Sequence, residues 1–168
     1  MTDGSKPEGS GGPWTLIARA AVGGMFIYLA FKKIGGLPDF HKVMKTYDIL
    51  PLDPPWILNG TAMYLPFLEL VLGVLIIVGL FTRTSFLMVL GMLIFFTIAV
   101  YLRGTEIQQA AGLAFSEVKF DCGCGTGEVF LWKKLIENGL LIVASIIGVF
   151  SSQRVLSIDG LRSRDNEA

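Results

Sequence analysis

The sequence predicts an all-α membrane protein, a bundle of four transmembrane helices with a short interfacial helix between the first and second spans. Three observations lead to this class. Of the 168 residues, 52% are hydrophobic and only 17% charged, a balance that soluble domains of this length rarely show. The apolar residues gather in blocks long enough to cross a hydrocarbon layer of roughly 30 Å, where a soluble protein would break them into periodic stripes. One polar link, between the first two blocks, carries a helical periodicity of its own.

Residues 1–13, MTDGSKPEGSGGP, combine Gly, Ser and Pro with scattered charges and read as a disordered tail. The first span runs from Trp14 to Phe31, interrupted only by Arg19, and ends in Lys32 and Lys33. It reads as a retained helix and not a signal peptide, because the preceding tail is acidic as well as basic and no cleavage site follows. In the link that follows, Phe40, Val43, Met44 and Tyr47 recur at i, i+3, i+4 and i+7 and so share one helical face, opposite His41, Lys42, Lys45 and Thr46. That pattern suits a short helix lying in the interface, apolar side down, capped by Asp39 and ended by Pro51, Pro54 and Pro55.

The second span, 56–81, is about 26 residues or roughly 39 Å long and holds one charge, Glu69. A tight link, Thr82 to Thr84, leads to the third span, 85–102, which has no charged residue and must lie antiparallel to the second. After a polar link from Arg103 to Phe130, the fourth span covers 131–150, with Lys133, Lys134 and Glu137 in its first turns and an apolar run from Gly139 to Phe150. The membrane domain is thus 14–153, followed by a polar tail, 154–168.

Charge and composition exclude several functions. Fourteen Lys and Arg balance fourteen Asp and Glu, so no global field attracts nucleic acid. Two cysteines and one histidine cannot close a four-ligand zinc site within the chain, and they cannot staple a secreted disulfide scaffold.

Two features remain that can carry chemistry. The first is Cys122-Gly123-Cys124, whose thiols can share only a strained and therefore labile small-ring disulfide, with Gly123 supplying backbone freedom. Its place just before the fourth helix would let the helix dipole favour a thiolate, with Lys133 or Lys134 adding to the effect and Asp121 opposing it. Redox chemistry, an inert tight turn, and a metal site shared with a partner chain all fit that spacing. The second feature is Glu69, in mid-membrane, where an ionisable group usually faces a protein interior or a wet cavity. It is either a proton relay or quinone contact, or a packing lock partnered by Arg19, Tyr28 or Asn59. Gly23, Gly24, Gly73 and Gly79 read as close-packing positions, and His41 as a solvated residue.

The order Ala30-Phe31-Lys32-Lys33-Ile34, the Phe40 to Tyr47 helix running into Leu50-Pro51, Leu68-Glu69 with Gly73 and Gly79, and Asp121-Cys122-Gly123-Cys124-Gly125 resembles the DoxX-like membrane proteins. Within these it looks most like the methylamine-utilisation MauE branch. The resemblance implies a four-helix bundle similar to that of vitamin K epoxide reductase, in the bacterial inner membrane, with cytoplasmic termini and a periplasmic cysteine loop. It further implies a role in maturing a disulfide-rich dehydrogenase subunit alongside a thioredoxin-like partner, with Cys122 and Cys124 as the thiol pair and Glu69 as the in-membrane acid.

Two functional expectations follow. One is a membrane thiol-disulfide oxidoreductase or maturation factor that exchanges disulfides with a periplasmic partner and passes electrons to a quinone. The other is a non-catalytic membrane subunit of a larger respiratory or redox complex, using loop residues such as Phe115, Val118, Phe120 and Phe130 as contact surface. Counted by side, Lys6, Arg83, Arg154, Arg162 and Arg164 lie with the termini, against eight cations on the other face: Lys32, Lys33, Lys42, Lys45, Arg103, Lys119, Lys133 and Lys134. Taken literally, that count puts the termini outside. The reading adopted follows the resemblance, because a reactive thiol pair belongs in an oxidising compartment.

Overall fold

The computed structural model describes residues 13–47, 54–123 and 127–150. Among them are five helices and one two-stranded hairpin: α1 (Pro13–Gly35), α2 (Leu37–Tyr47), α3 (Pro55–Val78), α4 (Thr82–Ala111), β1 (Lys119–Asp121), β2 (Glu128–Phe130) and α5 (Leu131–Phe150). The expected tails apart from Pro13, together with Pro51 and Cys124, lie outside the described residues.

The helix boundaries follow local chemistry. α1 breaks from α2 at Gly36, whose N–H still reaches the carbonyls of Lys32 and Lys33, while Pro38 lacks the N–H that would continue the ladder. Asp39, expected to cap α2, instead lies inside its first turn and pairs with Lys42 at 3.3 Å. α3 starts with Pro55 at a position where a missing N–H costs nothing, and it ends at Gly79, in the left-handed region at φ 79°, whose N–H returns to Leu75 O. The link to α4 is therefore Gly79 to Phe81, and Thr82-Arg83-Thr84 form the first turn of α4. Gly79 is a cap and not a packing position.

α4 outlasts its apolar block. It continues through Arg103 and Glu106, paired at 2.7 Å one turn apart, until Gly112 terminates it with a positive φ. The polar link before the last helix, for which no strand was expected, contains the hairpin, in which Lys119 faces Phe130, Phe120 faces Val129 and Asp121 faces Glu128. The protein is thus not purely helical. The signal was in the sequence: Val118, Phe120 and Cys122 alternate with Lys119 and Asp121, and all three are buried.

α1 packs most extensively on α3 and α4 on α5, while contacts of α1 with α5 and of α3 with α4 close the four into a ring. Three of these helices, α1, α3 and α4, are long and apolar enough to cross a membrane. They leave large apolar side chains such as Phe31, Tyr64, Phe67 and Ile98 exposed on the outside, as a bilayer would require. Inside, Val22, Phe26, Leu72, Ile76, Phe86, Val89, Leu93 and Val149 form one cluster, and Val100, Val118, Phe120, Cys122 and Leu131 form a second beneath the hairpin.

Gly23 and Gly73 bring α1 and α3 together. A Cβ on Gly73 would lie 2.8 Å from Ile27 Cγ1 and 2.9 Å from the Gly23 carbonyl oxygen, so nothing larger than hydrogen fits. Gly24 has open space around it. Gly73→Ala is expected to lower stability in detergent by about 1–3 kcal/mol through overpacking, and Gly24→Ala to leave it within about 0.5 kcal/mol, read by equilibrium unfolding. Equal effects at the two positions would rule out this account of the contact.

Candidate functional site

The site grows out of the antiparallel register of α1 and α3. Arg19 donates from Nε to Ile76 O at 2.9 Å and from its terminal nitrogen to Ile77 O at 2.7 Å, and Gly23 faces Gly73 a turn further on. Continued to the other end, this register puts Lys33 about six residues, roughly 9 Å, beyond the level of Glu69. Helical Cα–Cβ bonds tilt toward the N-terminus. In α1 that direction points Lys33 into the bundle, and in α3 it points Glu69 back toward Lys33. The two side chains meet at 2.5 Å, Lys33 Nζ donating to Glu69 Oε1, with Lys33 5% and Glu69 3% exposed.

Other groups complete a polar layer between the two apolar clusters. Lys33 Nζ lies 5.2 Å from the Phe40 ring centre and 4.9 Å from that of Phe96, positions where the ring faces attract a cation. From α5, Lys134 enters the layer, buried, with Glu137 Oε2 at 3.3 Å. One turn on, Asn138 Nδ2 donates to Thr97 Oγ1 at 3.2 Å, and that hydroxyl donates to Leu93 O at 2.6 Å. Glu69 Oε2 is buried with no hydrogen-bond partner among the described residues.

Above this layer the hairpin and α2 form a roof. Asp121 Oδ1 accepts the Gly123 N–H at 2.9 Å, a turn that holds Gly123 at φ 70° and presses it against Val43 and Phe40 of α2. The apolar face of α2 is therefore turned onto the protein: Phe40, Val43, Met44 and Tyr47 all line a part-open space beneath it. His41 Nε2 lies 2.7 Å from Asn59 Oδ1, which fastens the roof to α3. That space is a cavity of about 100 Å³ whose wall includes Lys33, Glu69, Lys134, Asn138 and Cys122.

The structure thus brings two sequence-selected residues, Cys122 and Glu69, to one cavity, while Cys124 lies outside the described residues. The partners expected for Glu69 are engaged elsewhere: Arg19 holds the end of α3, Asn59 meets His41, and Tyr28 is half exposed. The helix terminus expected beside the thiols is also displaced. Strand β2 intervenes, and its three residues carry the start of α5 roughly 10 Å along the hairpin from Cys122, beyond the first-turn reach of a helix dipole.

Lys33 was missed as a site residue, and Lys134 was expected only as a charge near the thiols and not as a buried member of the layer around Glu69, although a signal existed. Val22, Phe26, Leu29 and Lys33 continue one stripe of α1, and Leu131, Lys134, Asn138 and Leu141 one stripe of α5, so each lysine falls on an inward position. Among the described residues no cluster of His, Cys, Asp and Glu can hold a metal ion.

Removing one member of the buried pair strands the other. Lys33→Met or Glu69→Leu alone is expected to cost about 3–5 kcal/mol, and the double substitution to recover most of that loss, measured as a double-mutant cycle of unfolding in detergent. Additive losses would show that the two charges are not coupled.

No curated protein and no solved structure matches the chain. A family model described as methylamine utilisation protein MauE matches residues 13–151. The match runs from the start of α1 past the end of α5, enclosing the chamber, its roof and both cysteines, and the chain belongs to the MauE family.

Proposed function

We propose that the chain is a four-span protein of the bacterial inner membrane that exchanges disulfides through Cys122 and Cys124 with a periplasmic partner, in the service of methylamine utilisation. The observation that carries this reading is the place of Cys122 in the wall of a cavity shared with Glu69, Lys33 and Lys134. Reactive thiols are found near positive charge, and two lysines line the same cavity.

The architecture supports the reading. α5 serves as the fourth span: Leu140, Val143 and Phe150 face outward, while Lys134 and Asn138 are buried within the ring. α2 lies across the bundle end, with Lys42 and Lys45 exposed, at the level of the interface. The hairpin faces the periplasm and both termini the cytoplasm. Burial weakens the charge count that opposed this orientation, because Lys33 and Lys134, two of the eight cations on the hairpin side, do not reach the headgroups.

In the exchange, a partner thiolate attacks the Cys122–Cys124 disulfide, an S–S bond forms to the partner, and the partner's second thiolate then resolves it. Two electrons and two protons pass from the partner to the cysteine pair, and the disulfide of a thioredoxin-like protein restores the pair by the reverse reaction. Glu69 is the acid at the inner end of the cavity. The alternative, a subunit that only docks a larger complex, draws on Leu113 and Phe115, which are exposed in the link between α4 and β1.

Replacing Cys122 and Cys124 together by serine is expected to abolish growth on methylamine without affecting growth on a sugar. Alkylation of cells with and without prior reduction is expected to show that the pair is partly oxidised in place. Unimpaired growth of the serine variant would refute exchange and leave the docking reading standing.

A further inference from the structure

We infer that the base of the hairpin and the outward face of α5 form a binding site for one anionic phospholipid. Its phosphate is held by Lys119 and Lys133, and an acyl chain lies along the helix below them. The inference rests on α5 crossing the bilayer as the fourth span and uses nothing from the exchange chemistry.

The first observation is a pair of cations without counter-ions. Lys119 Nζ lies 4.6 Å and Lys133 Nζ 5.4 Å from the centre of the same ring, Phe130, and Lys133 also stands over Trp132 at 5.5 Å. The two ammonium groups are separated by no more than the sum of the two Phe130 distances, about 10 Å. Both lysines are exposed, and among the described residues neither forms an ion pair. Glu137, one turn along α5 from Lys133 where a helical partner would stand, meets Lys134 instead, at 3.3 Å. Across the hairpin Lys119 faces Phe130 and no carboxylate. A phosphate diester offers two free oxygens, and the flexible lysine stems can bring one ammonium group to each.

The second observation is how charge is laid out on the hairpin. Lys119 and Asp121 share the outer face of β1, with Phe120 turned inward. On that face the row next to α5 is Lys119 with Phe130, and the row next to the turn is Asp121 with Glu128. Two carboxylates directly opposite one another work against strand pairing, as two ammonium groups crowded over one ring work against their own approach. The result is a hairpin with a positive base and a negative tip. An anion is drawn to the end where α5 begins and repelled from the other.

The third observation lies below the lysines. Trp132, Ile136, Leu140 and Val143 are exposed, and at about 100° per residue they fall with Lys133 within an arc of about 100° on α5. Two cations above one continuous apolar stripe match an amphiphile. A free phosphate would use the lysines alone, and an acidic peptide would leave the stripe bare. Trp132 marks the depth, since an indole ring suits the boundary between headgroups and hydrocarbon.

The test follows Trp132 fluorescence in full-length protein carrying Trp14→Phe and Trp56→Phe, in mixed vesicles of phosphatidylcholine and phosphatidylglycerol. Bromine, which quenches an adjacent indole, is placed on the acyl chains of one lipid or the other. Corrected for mole fraction, brominated phosphatidylglycerol is expected to quench at least about threefold more effectively than brominated phosphatidylcholine. Lys119→Gln with Lys133→Gln is expected to bring that ratio to about one, while Lys119→Arg with Lys133→Arg keeps it. Inorganic phosphate in the buffer is expected to leave it unchanged. Equal quenching by the two lipids, a preference indifferent to the glutamine substitutions, or one abolished by inorganic phosphate overturns the assignment and leaves the fourth span standing. Trp132 quenched by neither lipid shows that this end of α5 does not meet the bilayer, and the four-span reading falls as well.

Discussion

Lys33 and Glu69 come from helices separated by another helix in sequence, and both carry charges that lipid cannot solvate. Each one alone would cost about 2.5 kcal/mol or more near the bilayer centre, and together they satisfy each other at 2.5 Å. The rest of the bundle end is arranged around that fact. Phe40 and Phe96 face the ammonium, α2 closes over it, and the hairpin closes over α2. The same seam between α1 and α3 is held at its other end by Arg19 on the last carbonyls of α3 and midway by the two glycines. In a bilayer, hydrophobic burial gives helices little reason to prefer one another over lipid. Close packing and paired polar groups supply that preference here.

One consequence is that the interior is not uniformly apolar. The upper and lower clusters are separated by a layer of Lys33, Glu69, Lys134, Asn138 and Thr97, and the cavity opens within that layer. An apolar filling would make a denser core. Instead Glu69 keeps one oxygen buried without a hydrogen-bond partner among the described residues. The helices of the ring thus build a largely apolar compartment with charged groups in its wall, and the hairpin brings a thiol to its edge.

Much of this was legible in the residues. The apolar blocks located the helices, Glu69 stood out as a mid-membrane acid, and the α2 stripe of Phe40, Val43, Met44 and Tyr47 was read correctly as one face. What that face touches was not legible, since lipid and protein select the same apolar stripe. The end of α4 was misjudged because loss of hydrophobicity at Leu102 marks where an apolar block stops, while the helix continues on its own hydrogen bonds to Gly112. The hairpin was overlooked because three-residue strands are shorter than the patterns around them, although the alternation of Val118, Phe120 and Cys122 announced it.

The sequence by itself determined that this chain partitions into a membrane, where its apolar helices lie, and which two features stand out chemically, the cysteine pair and the mid-membrane Glu69. These are local properties, set by runs of apolar residues and by the character of single side chains. Only the tertiary structure decided that Lys33 is the partner of Glu69, that Arg19 caps α3, and that Cys122 and Glu69 share one cavity. Those pairings depend on the register between antiparallel helices. A shift of one turn, 5.4 Å, exchanges every partner while leaving each helix's own pattern unchanged.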